Sequence, residues 1–272
     1  MRTKNTNMCL FDMDGTLTPA RMSMPPDVLD SLRDLSACSD IGIVSGSPIS
    51  YIKEQIPELL EYFYGDSEGE LLVMPCNGTQ LYRTDKENNK LEKVFAADMK
   101  KELGYVTYLE LISLCNDIHR TYIESGDKIP VSGNFSSYRG SLLNFCPPGR
   151  DASDLERELF VKWDLENGGR ATMLEEMQLS LVNLGIDNIT CSLGGNTSID
   201  IYPTGWDKTY CLQHISDYHL TTFVGDKCEE TGNDYTIYNH LLPLSYKTKT
   251  TSETVEIINT RLIPMCRDGI YL

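Results

Sequence analysis

The residues of this sequence best suited to chemistry are two aspartates, Asp12 and Asp14, in the run D-M-D-G-T-L-T. A spacing of two places both carboxylates on one side of an extended segment, and Gly15 allows a sharp turn beside them. Two carboxylates this close repel each other, so a cation is expected to share them, and their oxygens suit Mg²⁺. One carboxylate can attack phosphorus while the other moves a proton. The alternative is a solvated acidic turn that caps the next helix.

A second acidic signal lies in the last third of the chain. Asp226 follows a short apolar run at residues 221–224, and Asn233 and Asp234 come one loop later. The carboxyl ends of parallel strands share one edge of a sheet, which is where α/β proteins bind ligands. Asp226 is therefore predicted to meet Asp12 at one Mg²⁺, with Asn233 and Asp234 in support. An ordinary turn rich in Asp, Asn and Gly is the alternative.

Two further residue groups could handle phosphate. Ser45 and Gly46 follow the apolar run 41–44, where a hydroxyl and backbone N–H groups can hold phosphate oxygens. A serine that caps a helix is the alternative. Lys208 could neutralise phosphate charge, although a solvated surface lysine would also fit the sequence.

The elements that must position these residues follow from the apolar pattern. Residues 8–11, 41–44 and 71–74 predict buried strands, and helical spacing over residues 25–35 and 49–60 lies between them. This alternation predicts an α/β fold with a Rossmann-like parallel-sheet core. Residues 206–215 predict a later helix. The charged run 84–93 predicts a linker, after which strands and helices stop alternating. The chain is therefore divided into a core domain, 1–84 and 203–272, and an inserted α+β cap domain, 85–202.

Composition narrows the function classes. The net charge of −16 and the pI near 4.6 disfavour nucleic acid and membrane partners, since an acidic surface repels their phosphates. A phosphate substrate would then need a local cluster of Arg and Lys. The N-terminus lacks the apolar core of a secretory signal, which predicts a cytoplasmic protein. The nine cysteines are an odd number without a C-x-x-C pair, which disfavours a disulfide framework or a thiolate zinc site.

The motifs also carry a family resemblance. The run at residues 12–18, Ser45-Gly46, Lys208 and Gly225-Asp226 stand in the order of the four haloacid-dehalogenase superfamily motifs. More narrowly, the chain resembles eukaryotic phosphomannomutase. Five stretches carry this match: FDMDGTLTPAR at 11–21, Asn77-Gly78, SLLNFCPPGR at 141–150, SIDIYPTGWDKTYCL at 198–212 and GDKCEETGND at 225–234.

The resemblance implies a haloacid-dehalogenase fold and a role for each site residue. Asp12 would be the nucleophile, Asp14 the acid/base and Lys208 the third catalytic group. Asp12, Asp226 and the backbone carbonyl of Asp14 would hold Mg²⁺. The resemblance also supplies the substrate-binding residues: Arg21, Ser45 and Gly46 in the core, Arg139 and Arg150 for the distal phosphate, and Ser198 and Asp200 for the sugar hydroxyls.

The implied activity is the interconversion of mannose 6-phosphate and mannose 1-phosphate through an aspartyl phosphate, supplying GDP-mannose synthesis. A sugar 1,6-bisphosphate would be the activator, and the protein would be a homodimer through its caps. Two alternatives remain: a sugar-phosphate phosphatase with the same nucleophile, and a non-catalytic sugar-phosphate binding protein. The sequence departs from the family at Ser132, where the family usually has a phosphate-binding arginine. This departure bears on the balance between mutase and phosphatase action.

Overall fold

The protein is described by a computed structural model that covers residues 6–65, 67–124, 126 and 129–268. The chain divides into two compact units. We call Met1–Ala96 together with Asp207–Leu272 the core unit, and Ala97–Trp206 the cap unit. Each unit is described separately below.

The elements follow one another along the chain in a mixed order. The strands are β1 (Asn7–Phe11), β2 (Asp40–Val44), β3 (Leu71–Met74), β4 (Gln80–Asp85), β5 (Lys90–Ala96), β6 (Ser136–Tyr138), β7 (Leu143–Phe145), β8 (Ile189–Leu193), β9 (Ile199–Pro203), β10 (Leu220–Gly225) and β11 (Ser245–Lys247). The helices are α1 (Pro26–Ser36), α2 (Ile49–Gln55), α3 (Pro57–Tyr64), α4 (Met99–Leu103), α5 (Tyr105–Glu124), α6 (Asp154–Asn167), α7 (Gly169–Leu184), a 3₁₀ helix (Lys208–His214), α8 (Tyr235–His240), α9 (Thr251–Ile257), a π-helical turn (Ile258–Leu262) and α10 (Ile263–Asp268).

The core unit is built on a mostly parallel sheet. Among the described residues it has seven strands in the order β11-β10-β1-β2-β3-β4-β5. β1 lies in the middle and pairs in parallel with β10 on one side and β2 on the other. Only the hairpin of β4 and β5 is antiparallel to its neighbours. The predicted α/β class with a parallel-sheet core is therefore confirmed.

Burial on both faces explains why the parallel strands are continuously apolar. Cys9 and Phe11 on β1 belong to one buried cluster, whereas Met8 and Leu10 belong to another. Successive side chains of a strand point to opposite faces, so helices must cover both sides of this sheet. This double packing holds the carboxyl end of β1, and with it Asp12, in a defined position.

The predicted helix over residues 49–60 is divided at Pro57. α2 ends at Gln55 and α3 begins at Pro57. Proline lacks the N–H that a helix interior needs, but it is well accommodated in the first helical turn. The helix predicted over residues 206–215 is observed as the shorter 3₁₀ helix Lys208–His214. None of the helices in the described part of the chain is both long and apolar enough to cross a membrane.

The cap unit is α+β, as the sequence predicted. Its described strands form an antiparallel sheet in the order β6-β7-β9-β8, against which the cap helices pack. Phe145 and Phe160 are fully buried in the cluster that joins them. α6 begins with a capping box between Ser153 and Glu156 and ends at Gly168, whose φ of 64° stops the helix.

The charged run 84–93 is not a linker, and that prediction was wrong. It forms the end of β4, the turn and the start of β5, with Asp85 paired to Lys90 across the hairpin. Leu91 is buried in the core cluster, and the Phe95 ring contacts Tyr210 and His214. The core unit accordingly extends to residue 96 rather than 84. The cap unit extends to Trp206 rather than 202, because β9 and Trp206 belong to the cap sheet and its apolar cluster.

Candidate active site

The site residues of the core unit lie at the carboxyl edge of its parallel sheet. Asp12 follows β1, Asp226 follows β10 and Ser45 follows β2. Phe11 is in register with Val224 on one side and Ile43 on the other. The carboxyl ends of β1, β10 and β2 therefore lie side by side at one edge of the sheet. The strand order alone therefore brings together residues that are more than two hundred positions apart in the sequence.

Three carboxylates converge at this edge. Asp12, Asp226 and Asp234 each offer an oxygen, and these oxygens lie within 4.8 Å of one another. Asp12 and Asp234 are buried, whereas Asp226 is partly exposed. The structure thus brings Asp226 to Asp12, as the sequence predicted, and it adds Asp234 as a direct member of the cluster. Such a set of oxygens is suitable for a divalent cation.

The Asp14 carboxylate lies outside this cluster of three. It accepts a hydrogen bond from the Tyr51 hydroxyl at 2.9 Å and another from the Arg21 backbone N–H at 3.2 Å. Its predicted contribution to Mg²⁺ through the backbone carbonyl stays a prediction. Arg21 itself is exposed and has a left-handed φ of 63°. These two hydrogen bonds hold the Asp14 carboxylate in place beside the loop that follows Asp12.

Lys208 neutralises part of the acidic cluster. Its ammonium group is completely buried and donates to both Asp12 and Asp234. Burial alone would lower the pKa of Lys208, but the two carboxylates outweigh burial and raise it. The surface-lysine alternative is thereby excluded, because Lys208 is an internal counter-ion.

Burial raises the pKa of Asp12 and of Asp226. The pKa of Asp12 rises to about 8, mainly because Asp12 is buried, although Lys208 opposes the shift and Asp234 adds to it. The pKa of Asp226 rises to about 6, again mainly by burial and then by the charge of Asp234. These raised pKa values mean that the single positive charge of Lys208 does not offset burial and the repulsion between neighbouring carboxylates. A bound cation would supply further positive charge, so the residues present fit a divalent metal ion.

The loop that follows Asp12 is tightly closed. The N–H groups of Leu17 and Thr18 both donate to the Met13 carbonyl at 2.9 Å, and the Thr18 hydroxyl donates to Gln55 at 2.8 Å. Gly15 has a φ of +90°, and a Cβ at this position would overlap the Asp226 carboxylate. Glycine is therefore required twice, for its backbone conformation and for the close approach of Asp226.

Ser45 lies buried in the loop after β2. Its hydroxyl accepts from the Ser47 N–H at 3.1 Å, a bond within the loop before α2, so Ser45 is not the N-cap of that helix, a position that Pro48 holds. The turn between β3 and β4 supports this loop, because the Asn77 N–H donates to the Ser45 carbonyl at 2.9 Å. Cys76, Asn77 and Gly78 have consecutive positive φ values of 52°, 62° and 84°. The Asn-Gly dipeptide was the only sequence signal for this supporting turn.

Asn233 is the remaining predicted core residue. It precedes Asp234, whose second carboxylate oxygen accepts from the Lys227 N–H at 3.0 Å. The Asn233 side-chain oxygen is buried and has no hydrogen-bond partner among the described residues. Its supporting role stays a prediction.

The predicted cap residues form a second, cationic cluster. The Arg150 guanidinium donates to Asn144 at 3.2 Å, and the Asn144 amide donates to Asp200 at 2.6 Å. Burial lowers the pKa of Arg150, and the positive charge of Arg139 lowers it further. Ser198 directly precedes β9, Asp200 lies on it, and both side chains approach Gly194. Two arginines held near each other are suited to a phosphate dianion.

Sequence reasoning missed two residues of this cluster. Asn144 joins Arg150 to Asp200, as just described. Arg157 donates to the Arg150 carbonyl at 2.6 Å and to the Thr197 hydroxyl at 3.1 Å, so it ties together the two loops that carry predicted residues. Asn144 lies within the matched stretch 141–150, but the resemblance gave it no role, and its place on β7, whose side chains are buried, was the further signal. Arg157 stands outside the five matched stretches.

Ser132 lies beside the Arg150 loop. Its N–H donates to the Pro148 carbonyl at 2.9 Å, and its hydroxyl donates to Glu156 at 2.6 Å. Hydrogen bonds from Ser132 and then Ser153 lower the pKa of Glu156 to about 2. The place where the family usually has an arginine thus holds a serine that is bonded to a carboxylate.

Fold and site together define the class of this protein: it has the haloacid-dehalogenase fold, with the acidic pair, serine, lysine and second acidic loop of that class at the edge of its sheet. Residues 28–263 match the profile of eukaryotic phosphomannomutase. The chain therefore belongs to the eukaryotic phosphomannomutase family, as its sequence predicted.

Named relatives agree with this assignment. The chain is 36% identical to a phosphomannomutase of Arabidopsis thaliana, covering 91% of this chain and 93% of that protein. It is 37% identical to phosphomannomutase 2 of Dictyostelium discoideum, covering 94% and 96%. Among solved structures, it resembles the IMP-nucleotidase of Plasmodium falciparum with a TM-score of 0.69 at 15% identity, covering 96% of this chain and 67% of that one. Trehalose-6-phosphate phosphatase of Aspergillus fumigatus gives a TM-score of 0.51 at 14% identity, covering 95% and 93%. At these identities the structural likeness shows the fold alone.

The raised pKa values predict how cation binding depends on pH. Below pH about 8, protons compete with a cation for Asp12, and below about 6 they also compete for Asp226. Without metal, the folded state should therefore lose stability as pH rises from about 4, the usual carboxyl pKa, to about 8. We expect Mg²⁺ to raise Tm more at pH 8 than at pH 6, as measured by differential scanning fluorimetry. An equal shift at both pH values would contradict this account.

Gly15 offers a second test of the same cluster. Gly15→Ala should displace the Asp226 carboxylate and reduce the Mg²⁺-induced Tm shift at pH 8. Gly205→Ala is the matched control, because Gly205 also has a positive φ, +85°, but nothing lies within 4 Å of an added Cβ. Equal losses in both variants would assign the effect to backbone strain instead of the Asp226 contact.

Proposed function

We propose that this protein interconverts mannose 6-phosphate and mannose 1-phosphate through an aspartyl phosphate on Asp12. The observation that carries this proposal is the presence of two differently charged sites. The core unit has a buried acidic cluster with Lys208, and the cap unit has a cluster with Arg139 and Arg150. A phosphatase needs to bind only the phosphate that it removes, whereas a mutase binds phosphate at both ends of the sugar. The named relatives support the same activity.

Asp12 is the nucleophile in this proposal. Its oxygen attacks phosphorus of a bound sugar 1,6-bisphosphate, the bond from phosphorus to the sugar oxygen breaks, and an aspartyl phosphate forms. Asp14 gives a proton to the departing sugar oxygen and later takes a proton from the hydroxyl at the other end of the monophosphate. The hydrogen bonds from Tyr51 and Arg21 keep Asp14 in place for this work. Lys208 balances the charge of Asp12 during transfer.

Mg²⁺ is the proposed cofactor. Asp12, Asp226 and the backbone carbonyl of Asp14 would hold it, and the Asp234 carboxylate lies close enough to support the same ion. When bound, the ion would neutralise charge on the transferred phosphoryl group. Ser45, Gly46 and Arg21 are proposed to bind substrate from the core unit.

The cap cluster is proposed to bind the rest of the substrate. Arg139 and Arg150 would hold the distal phosphate, because paired guanidinium groups match its oxygens. Ser198 and Asp200 would contact sugar hydroxyls. Asn144 keeps Asp200 and Arg150 together, which fixes the spacing between the sugar and phosphate contacts.

We further propose a homodimer through the cap unit. Apolar side chains are left exposed on two neighbouring cap helices, including Val106 on α5 at 71% and Leu179 and Val182 on α7 at 65% and 75%. A groove between α5 and α7 is lined by leucine and isoleucine side chains such as Leu179 and Leu184, together with charged residues such as Asp117 and Glu176. An exposed patch of this kind is typical of an association surface. A monomer in sedimentation equilibrium at micromolar concentration would contradict this proposal.

The proposed location is the cytoplasm, where the product mannose 1-phosphate would supply GDP-mannose synthesis. All nine cysteines are free thiols in the structure, which is typical of proteins in a reducing compartment.

Asp12→Asn tests the nucleophile. The variant should lose at least about 10³-fold in kcat, because an amide cannot form the phosphoryl intermediate. It should remain folded, since Lys208 keeps Asp234 as a partner. Activity and circular dichroism together check this expectation. Wild-type turnover in Asp12→Asn would remove Asp12 as the nucleophile.

A product assay separates the proposed activity from its rivals. The enzyme is supplied with mannose 1-phosphate and a trace of glucose 1,6-bisphosphate, and mannose 6-phosphate and free phosphate are followed together. A mutase produces mannose 6-phosphate with little free phosphate. Stoichiometric phosphate release without mannose 6-phosphate would make the protein a phosphatase. A rise in Tm with neither product would make it a binding protein.

Ser132→Arg tests the departure from the family. An arginine here would add a cation beside the Arg150 loop, and a charged hydrogen bond to phosphate typically stabilises by about 1.5–3 kcal/mol. We expect KM for mannose 1-phosphate to fall by about tenfold or more, with less phosphate released per mannose 6-phosphate formed.

The control for Ser132→Arg has to take account of the Glu156 carboxylate beside it. Glu156 accepts the Ser132 hydrogen bond and could pair with the new arginine, so Ser132→Arg is measured alone and together with Glu156→Gln. Ser132→Ala removes the hydroxyl without adding charge and should leave KM nearly unchanged. If the arginine lowers KM in neither background, the cap cluster does not bind the distal phosphate at this position.

A further inference from the structure

Three of the nine cysteines converge in the core unit, away from the acidic cluster. Cys9 lies on β1, Cys38 lies in the turn after α1, and Cys266 lies on α10. The Sγ atoms of Cys9 and Cys266 are 3.8 Å apart. Cys9 is completely buried, whereas Cys38 and Cys266 are partly exposed. The proposed mechanism uses none of these thiols.

Several hydrogen bonds hold the three segments together. The Asn7 side-chain amide donates to the backbone carbonyls of both Cys38 and Cys266, at 3.2 Å in each case. The Ser39 hydroxyl has one hydrogen to donate and lies 3.3 Å from the Cys9 sulfur, 3.2 Å from the Asn7 carbonyl and 2.8 Å from the Asp40 carbonyl. The hydrogen bond from Asn7 thus holds the Cys266 backbone close to β1. This contact joins α10 to the central strand of the core sheet.

The local chemistry favours reaction between these sulfurs. Hydrogen bonds from Cys266 and then Ser39 outweigh burial and lower the pKa of Cys9, which raises its fraction of thiolate. Thiolate is the nucleophilic form of cysteine. A disulfide has its sulfurs about 2.0 Å apart, so sulfurs already in van der Waals contact need only a small side-chain movement to bond.

We propose that Cys9 and Cys266 form an oxidation site that closes to an intramolecular disulfide on reaction with hydrogen peroxide. In this proposal hydrogen peroxide, which is little larger than water, enters from the side of Cys266, the partly exposed member of the pair. The Cys9 thiolate attacks one peroxide oxygen, the O–O bond breaks, and a sulfenic acid and one water form after proton transfer. The Cys266 sulfur then attacks the Cys9 sulfur, the S–S bond forms and a second water leaves. The two thiols lose two electrons, and one peroxide becomes two waters.

The disulfide would tie α10 to the centre of the core sheet. Cys9 is three residues before Asp12 on the same chain segment, so oxidation would act close to the catalytic edge without involving a site residue. Thiol pairs of this kind in reducing compartments are usually reversible sites of redox chemistry. The inference goes beyond the proposed function and does not depend on it.

The test is peptide mapping of the folded, full-length protein after treatment with a small excess of hydrogen peroxide. Remaining thiols are alkylated before digestion, and cross-linked peptides are identified by mass spectrometry. We expect the free thiol count to fall by two, from nine. We also expect a Cys9–Cys266 peptide pair that disappears on treatment with dithiothreitol. A protein unfolded in urea before oxidation should give mixed cross-links instead.

Variants identify the partners. Cys266→Ser should abolish the cross-link, whereas Cys38→Ser should retain it, and Cys191→Ser in the cap unit serves as a matched control that should also retain it. Wild-type mapping decides the question even if Cys266→Ser fails to fold. The absence of any cross-link, a link from Cys266 to Cys38, or a link between two chains would overturn the proposal.

Discussion

The buried contact of Lys208 with Asp12 and Asp234 is the interaction on which the active-site edge depends. Three carboxylates meet one ammonium group there, which leaves two negative charges in a largely buried place. An unpaired buried charge is strongly destabilising, so this arrangement favours binding of a further cation. A divalent ion would supply the missing charge where the proposed phosphate substrate would approach a chain whose net charge is −16. Without such an ion, burial and then the charge of Asp234 raise the pKa values of Asp12 and Asp226.

The cap cluster brings like positive charges together, whereas the core cluster brings negative charges together. Arg139 acts on Arg150 as a like charge, and Arg150 is also partly desolvated, so its charged form is less favoured there than in water. The chain of contacts from Arg150 through Asn144 to Asp200 offsets this cost and orients the guanidinium. Arg157 supports the same loop through its hydrogen bonds to the Arg150 carbonyl and the Thr197 hydroxyl. Each unit of the protein therefore contains a cluster with its own local charge, acidic at the sheet edge of the core unit and cationic around Arg139 and Arg150 in the cap unit.

The sequence allowed correct predictions where reactive residues and a secondary-structure signal lie in the same short segment. The Asp12–Asp14 motif directly follows a buried strand, and the parallel order of strands then predicts that Asp226 returns to the same edge. Asp234 was assigned only a supporting role, because an Asn-Asp pair after glycine is indistinguishable from an ordinary turn. The hairpin of β4 and β5 was missed because its charged residues dominate the pattern, although Leu81, Tyr82 and Leu91 are buried in apolar clusters and the Phe95 ring contacts His214. Asn144 was missed for a related reason, since its role comes from contacts between strands.

The same hairpin determines how the core sheet ends. β5 is the outermost strand on one side, and its exposed residues include Lys90, Glu92 and Lys93. On the other side the outermost strand, β11, is only three residues long. A long apolar edge would recruit strands from other copies of the chain, whereas charged or very short edges disfavour such growth. The charge pattern that obscured β5 in the sequence thus protects a largely apolar sheet from edge-to-edge aggregation.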